Sequence, residues 1–305
     1  MPTISFAKRS TKASVGENLL DVLNKAGANV AFNCRAGSCH TCLVRCAEGS
    51  VLQHAPLAYE QQEQGWCLAC QSEVIEDARF EVFDPKTNAV AATLTELDWL
   101  SSAVAKVRLM PERTIRYTAG QSTVVWLDGV ARPYSIASYA EPWLEFHISC
   151  AHQGAFVSKL KQAKVGESLF ISPLRTGGLF YDPNWQDQPL YLIAQGTGLA
   201  PLWGILQQAL AMDHRGTIEF WHFADEHYLK ESLNALAARY PNLHLRYLSA
   251  ARIEQDLQAL TLVSRHAHAL LCGHQISVEL MAKRFYLAGL PRSHLHTERF
   301  IVTTE

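Results

Sequence analysis

Six of the eight cysteines in this 305-residue chain fall between Cys34 and Cys70, and only Cys150 and Cys272 lie elsewhere. Crowding of this kind is the signature of metal or cluster chemistry in a reducing compartment, because a chain this long does not need disulfide staples to hold a core. Cys34, Cys39 and Cys42 stand as C-x4-C-x2-C in CRAGSCHTC, and Cys70 follows in LACQ. That is the ligand spacing of a plant-type [2Fe–2S] cluster, whose iron and sulfide are held by soft thiolates. A tetrahedral zinc site built from Cys39, Cys42, Cys67 and Cys70 is the competing reading, and it leaves Cys34 unexplained. With the cluster, Cys46 and Cys67 become small buried hydrophobes.

The rest of the composition narrows the partners. The formal net charge is −2, so no basic excess is present to neutralise a phosphate backbone, and nucleic acid is not expected as a partner. The N-terminus, Met1 to Gly16, has no apolar segment of secretory length. The apolar stretch from Pro189 to Met212 is interrupted by Gln195, Gly196, Gly198, Pro201, Gln207 and Gln208. It reads as a buried strand, a glycine turn and a helix, with no membrane span. The expected location is the cytoplasm.

Periodicity divides the chain in three. Thr3 to Phe6 alternates, Leu19 to Ala26 has a helical pattern closed by Gly27, and Leu43 to Arg45 and Val74 to Val82 alternate like strands. Asp84 to Asn88 is a polar, turn-rich linker. From Leu97 to Pro183 come short alternating runs separated by turn residues, the pattern of an antiparallel barrel or sandwich. From Pro189 strands and helices alternate, which predicts a parallel α/β sheet.

Each later segment carries one motif. Arg132-Pro133-Tyr134-Ser135, expected at the start of a strand, offers a cation, an aromatic face and a hydroxyl, the groups a flavin needs around its phosphate, ring and N5. Gly154 to Ser158 (GAFVS) can add backbone N–H groups at a short helix N-terminus, through Gly154, Phe156, Val157 and Ser158. Gly196-Thr197-Gly198 opens a helix after a buried strand, so a nucleotide can approach the backbone there. Cys272-Gly273 ends a later strand, where ligands gather on an α/β sheet.

Taken in order, these residues resemble the reductase components of multicomponent bacterial oxygenases, which join an N-terminal plant-type ferredoxin to a ferredoxin–NADP reductase-like module. CRAGSCHTC with LACQ, Tyr117 to Gln121 (YTAGQ), RPYS, GTGLAP, Cys272-Gly273 and the closing His296 to Phe300 (HTERF) carry the resemblance across essentially the whole chain. It implies a multi-domain α+β and α/β chain. The expected units are a β-grasp [2Fe–2S] ferredoxin at 1–88, a six-stranded antiparallel FAD barrel at 94–187 and a Rossmann-like NAD(P) domain at 188–305. It further implies that Arg132, Tyr134 and Ser135 contact the flavin, that Gly196 to Gly198 contact the dinucleotide, and that Phe300 lies near the flavin ring. Cys272 would lie near the nicotinamide, with Ser135 and Cys272 as catalytic residues.

The implied activity passes electrons from NADH through FAD and the cluster to a terminal oxygenase. A non-oxygenase acceptor such as a sugar dehydratase, or a zinc-bearing binding module, are the alternatives. Where NADPH-preferring relatives place an arginine, this chain has Asp225-Glu226, and a carboxylate suits a free ribose hydroxyl, so NADH is expected. His40 stands in the cluster loop where the family commonly has a small residue, and reads as a solvated loop histidine. Gln195 and His274-Gln275 replace a glycine and prolines beside the nucleotide motifs.

Overall fold

The computed structural model describes residues 1–301 and contains three main sheets in chain order. The first runs Arg9–Lys12, Thr3–Phe6, Ala78–Val82, Leu43–Glu48, Trp66–Leu68, with Thr3–Phe6 parallel to Ala78–Val82 and the other neighbours antiparallel. Helix Leu19–Lys25 buries Leu19, Leu20, Val22 and Leu23 in the core shared with this sheet. Its i, i+1, i+3, i+4 spacing gives a single apolar stripe. The stretch Val74 to Val82 is not one strand. Ser72–Val74 pairs with Val51–Gln53 in a two-stranded ribbon, and a bend separates it from Ala78–Val82. At that bend the Asp77 carboxylate accepts from the Thr3 amide (2.7 Å), a long-range bond to the neighbouring strand made by a side chain in place of the backbone ladder.

The second sheet has six antiparallel strands in the order Val130–Ser135, Ser122–Leu127, Ser168–Ile171, Val90–Trp99, Val104–Pro111, Leu144–Ser149. The Ala137 amide donates to the Glu145 carbonyl (2.8 Å) and brings the two end strands together, so the barrel is nearly closed. RPYS ends the strand Val130–Ser135 and does not start it. The third sheet is wholly parallel, ordered Leu243–Leu248, Ile218–Phe223, Leu190–Gln195, His268–His274, Leu295–Phe300. Its direction of winding reverses at Leu190–Gln195, which places a crevice between the ends of that strand and His268–His274. No helix among the described residues is long and apolar enough to cross a membrane.

The ferredoxin-like unit is packed on the barrel. Its core continues into Val124, Trp126 and Ala131 on the barrel strands, and Phe83 stacks on Trp126 at 5.6 Å. This apolar contact presents the cysteine loop to the barrel.

Candidate functional site

The cysteine loop is built for sulfur. Arg35, Gly37 and His40 have positive φ, which coils the backbone so that amides turn inward. Gly37 is required twice over, since its φ is +73° and a Cβ would stand 2.8 Å from the Ala55 methyl. The Ala36 amide donates to Cys34 Sγ (3.3 Å), and the Cys34 amide and the Thr41 hydroxyl donate to Cys39 Sγ (3.5 and 3.3 Å). Asn18, the cap of helix Leu19–Lys25, donates to the Cys70 carbonyl (3.0 Å) and fixes the fourth cysteine from outside the loop.

The four thiols form two pairs. Cys39 hydrogen-bonds to Cys34, whose thiol is pushed down to about 4, and Cys42 does the same for Cys70, pushed down to about 7. Cys39 and Cys42 move up, first because each donates to its partner. Two separate pairs suit two metal centres. Cys67 stands apart in a strand opposite Val44, pushed up to about 12 by burial, which dismantles the zinc reading.

Cys34 and Cys39 line a cavity of about 500 Å³ whose other walls come from both remaining units. The barrel supplies Arg132 to Ser135 and Arg175, and the closing strand supplies Thr297 to Phe300. Ser135 donates to Glu298 Oε1 (2.7 Å), while Glu298 Oε2 is buried without a hydrogen-bond partner. Burial pushes the Glu298 carboxyl up, so its charge is disfavoured. Tyr134 sets its ring against Phe156 (5.2 Å) and Phe146 (6.4 Å), and burial pushes its phenol up. The serine-bearing wall, the aromatic flank and the arginines suit a planar polar ring with an acidic tail.

Several expected contacts look different in three dimensions. Phe156 and Val157 are buried in the barrel core, because helix Ala155–Leu160 needs an apolar face, so only their amides remain for a ligand. Gly154 caps that helix with open space beside it, and Ser158 is exposed. Cys272 is fully buried and its thiol is pushed well up by burial. It does not line the cavity, and what it offers the crevice is its backbone: a Cβ on Gly198 would meet the Cys272 carbonyl oxygen at 2.3 Å. Gly196 has φ +54° with nothing within 4 Å of a built Cβ, an open cradle at the start of helix Leu199–Ala211. Thr197 lies between them in the same turn. Gln195 accepts from the His274 amide (3.2 Å), a bond proline could not make, so the two departures support each other.

Both acids of that turn are exposed, but Glu226 is tied down: its carboxylate accepts from the Ser102 hydroxyl (2.7 Å) and amide on the barrel. His40 is half-buried. Its imidazole is pushed down to about 4, by burial first and by Arg175 second. Sequence reasoning missed Arg175, Glu298 and His222. Glu298 was legible within HTERF. His222, wholly buried under the glycine turn with Nε2 3.1 Å from the Gly196 carbonyl, looked like an ordinary strand residue.

A family model described as a 2Fe-2S iron-sulfur cluster binding domain matches residues 4–74, and an oxidoreductase NAD-binding domain matches residues 192–292. The reductase component of the naphthalene 1,2-dioxygenase/salicylate 5-hydroxylase systems of Ralstonia sp is 28% identical, with 94% of each chain covered. Along almost its whole length the chain is similar to these ferredoxin–NAD(P)+ reductase components, and it is an NAD(P)H-dependent oxidoreductase. A second relative, the ferredoxin–NAD+ reductase component of the alkene monooxygenase system of Xanthobacter autotrophicus, is also 28% identical over 92% of the reductase and 89% of its own length. The reductase shares its fold with the solved ferredoxin reductase in carbazole 1,9a-dioxygenase (TM-score 0.65, 21% identity, 98% of each chain). Amycolatopsis cytochrome P450 reductase GcoB matches equally well (TM-score 0.65, 22% identity, 98% and 99% covered).

Proposed function

We propose that the reductase oxidises NADH in the cytoplasm and delivers the two electrons singly to a terminal oxygenase. One NADH yields NAD+, one proton and two reduced one-electron acceptors. The observation that carries this reading is the shared cavity, where the cysteine loop, the RPYS strand and the closing strand meet. When bound, FAD and a [2Fe–2S] cluster would supply the conversion of a hydride pair into single electrons.

The chain's own residues do the rest. Cys34 with Cys39, and Cys42 with Cys70, are the thiolate pairs for the two irons, and the inward amides would temper their negative charge. Ser135, oriented by Glu298, would offer its hydroxyl to a flavin held in the cavity that Tyr134 and Phe300 line, and Arg132 with the amides after Gly154 would receive its phosphates. Gly196 and Gly198 let the dinucleotide approach the N-terminus of helix Leu199–Ala211, whose dipole favours a diphosphate. Gly273 closes that crevice, since a Cβ there would meet Gln195 Cβ at 2.7 Å. Asp225 favours a free ribose hydroxyl over a phosphate.

A sugar-dehydratase acceptor is the second reading, favoured by a 24% identical relative from Yersinia pestis, the CDP-6-deoxy-L-threo-D-glycero-4-hexulose-3-dehydrase reductase, over 74% of the chain. Anaerobic purification tests the main reading: the protein is expected to carry flavin, iron and sulfide, with visible absorption that bleaches on NADH addition. A colourless protein without flavin or iron would overturn it. Reconstitution with purified oxygenase and dehydratase components then assigns the acceptor.

A further inference from the structure

In the wall of the cavity that the cysteine loop also lines stands one cation that no motif announced. Arg175 follows the strand Ser168–Ile171 and is locked to Ser122 three times. Its amide donates to the Ser122 carbonyl (2.8 Å), the Ser122 amide donates back (3.0 Å), and Nη2 donates to Ser122 Oγ (2.8 Å). Ser122 is itself paired with Ser135, so the guanidinium is referenced to the strand that ends in the cavity's hydroxyl.

Its charge faces both ways. A Cβ on Gly177 would stand 3.7 Å from Arg175 Nη1 and 3.7 Å from Glu298 Oε2, so the guanidinium and that partnerless carboxylate oxygen share one small gap. On the other side it shares the cavity wall with Cys34, Ser38 and Cys39 of the cysteine loop. The neighbouring groups do not cancel it. The Glu298 carboxyl is shifted toward its neutral form, and Arg35 is paired with Asp21 (2.7 Å).

We propose that Arg175 sets the driving force for electron passage from the cavity to the cysteine loop, as a permanent positive charge held in the cavity wall. The proposal rests on the reading of the reductase as an NADH-to-acceptor electron carrier. Each of the two electrons from NADH adds a unit of negative charge where it arrives, and the proton left behind goes to solvent. A guanidinium does not deprotonate, and in a partly desolvated site its attraction for that charge favours the reduced form. Lysine keeps the charge, and glutamine keeps length and polarity without it.

The test is a mediated redox titration of the full-length, cofactor-loaded protein, following the cluster by electron paramagnetic resonance and the flavin by absorption. Arg175→Gln is expected to shift the cluster's reduction equilibrium toward the oxidised form by about threefold or more, with Arg175→Lys restoring most of it. Ser122→Ala, which frees the guanidinium but keeps it, is expected to give a smaller shift in the same direction and serves if Arg175→Gln fails to fold. A shift below about threefold in Arg175→Gln, or none in Ser122→Ala where that variant stands in, overturns the proposal. So does loss of flavin with an unmoved cluster potential in the loaded fraction, which would make Arg175 a cofactor-binding residue. If the wild-type protein carries neither cofactor, it is the underlying reading that fails, before any variant is compared.

Discussion

Gly198 has less freedom than any other residue in the nucleotide crevice. A methyl group there would sit 2.3 Å from the Cys272 carbonyl oxygen and 2.9 Å from the Gly273 amide nitrogen, both backbone atoms that cannot swing aside. Gly198→Ala is therefore expected to push apart the two strands' ends and raise the KM for NADH about tenfold or more, with flavin and iron content retained. Steady-state kinetics alongside cofactor analysis checks this, and an unchanged KM would deny the turn its role. Ser135→Ala removes the donor to Glu298 and leaves a buried carboxyl with neither oxygen bonded, a cost of about 1–3 kcal/mol. It is expected to slow flavin reduction by NADH in stopped-flow measurements while sparing the cluster spectrum. Residues of this kind were legible because their types are rare in their contexts: glycine after a buried strand, four cysteines in fixed spacing. Arg175 and His222 were not, because an arginine in a loop and a histidine in a strand become distinctive only once the fold brings them to Ser122 and Gly196.

At the scale of elements, the alternating and helical patterns found the sheets, and helix Leu19–Lys25 lies inside the stretch Leu19 to Ala26 whose periodicity predicts it. What pattern did not reveal is where short polar residues break a strand, as Asp77 does, or which end of a strand a motif occupies, as with RPYS. The turn after strand Ile218–Phe223 shows the consequence. Two adjacent acids look equivalent in sequence and both are exposed, but Glu226 is the one that clasps Ser102 across the barrel boundary. Discrimination against a 2′-phosphate should therefore follow Asp225 alone. Asp225→Asn is expected to raise relative kcat/KM for NADPH about fivefold, since removing one screened like charge is worth about 1 kcal/mol. Glu226→Gln is expected to leave the NADH/NADPH ratio unmoved and to lower the thermal midpoint. A ratio that moved with Glu226 and not with Asp225 would reverse the assignment.

Across the whole molecule, the cavity exists only while three units stay docked, and the joint between barrel and nucleotide domain is histidine-rich. Trp185 in the connecting segment stacks on His268 at 4.0 Å, Tyr181 bonds His214 (3.0 Å), and His222 sits under the glycine turn beside His227. Burial pushes the imidazoles of His214, His222 and His268 each down to about 4 from an ordinary value near 6.5. The unfolded chain then binds more protons than the native one between those values. Their contribution to stability is complete above about pH 6.5 and is lost as pH falls toward 4, at up to about 1.4 kcal/mol per pH unit for each proton. Urea unfolding followed by tryptophan fluorescence is expected to show a lower midpoint at pH 5.5 than at pH 7.5, each such imidazole contributing a loss of up to about 1.4 kcal/mol. Replacing His268 by Gln, which keeps a polar partner for Gln188, should flatten the profile by about one proton's worth. The same acid interval should loosen the stack that ties the connecting segment to the parallel sheet, so NADH-driven bleaching is expected to fall with the unfolding midpoint. If bleaching stays constant while the midpoint drops, the histidines stabilise the nucleotide domain without governing how the three units meet.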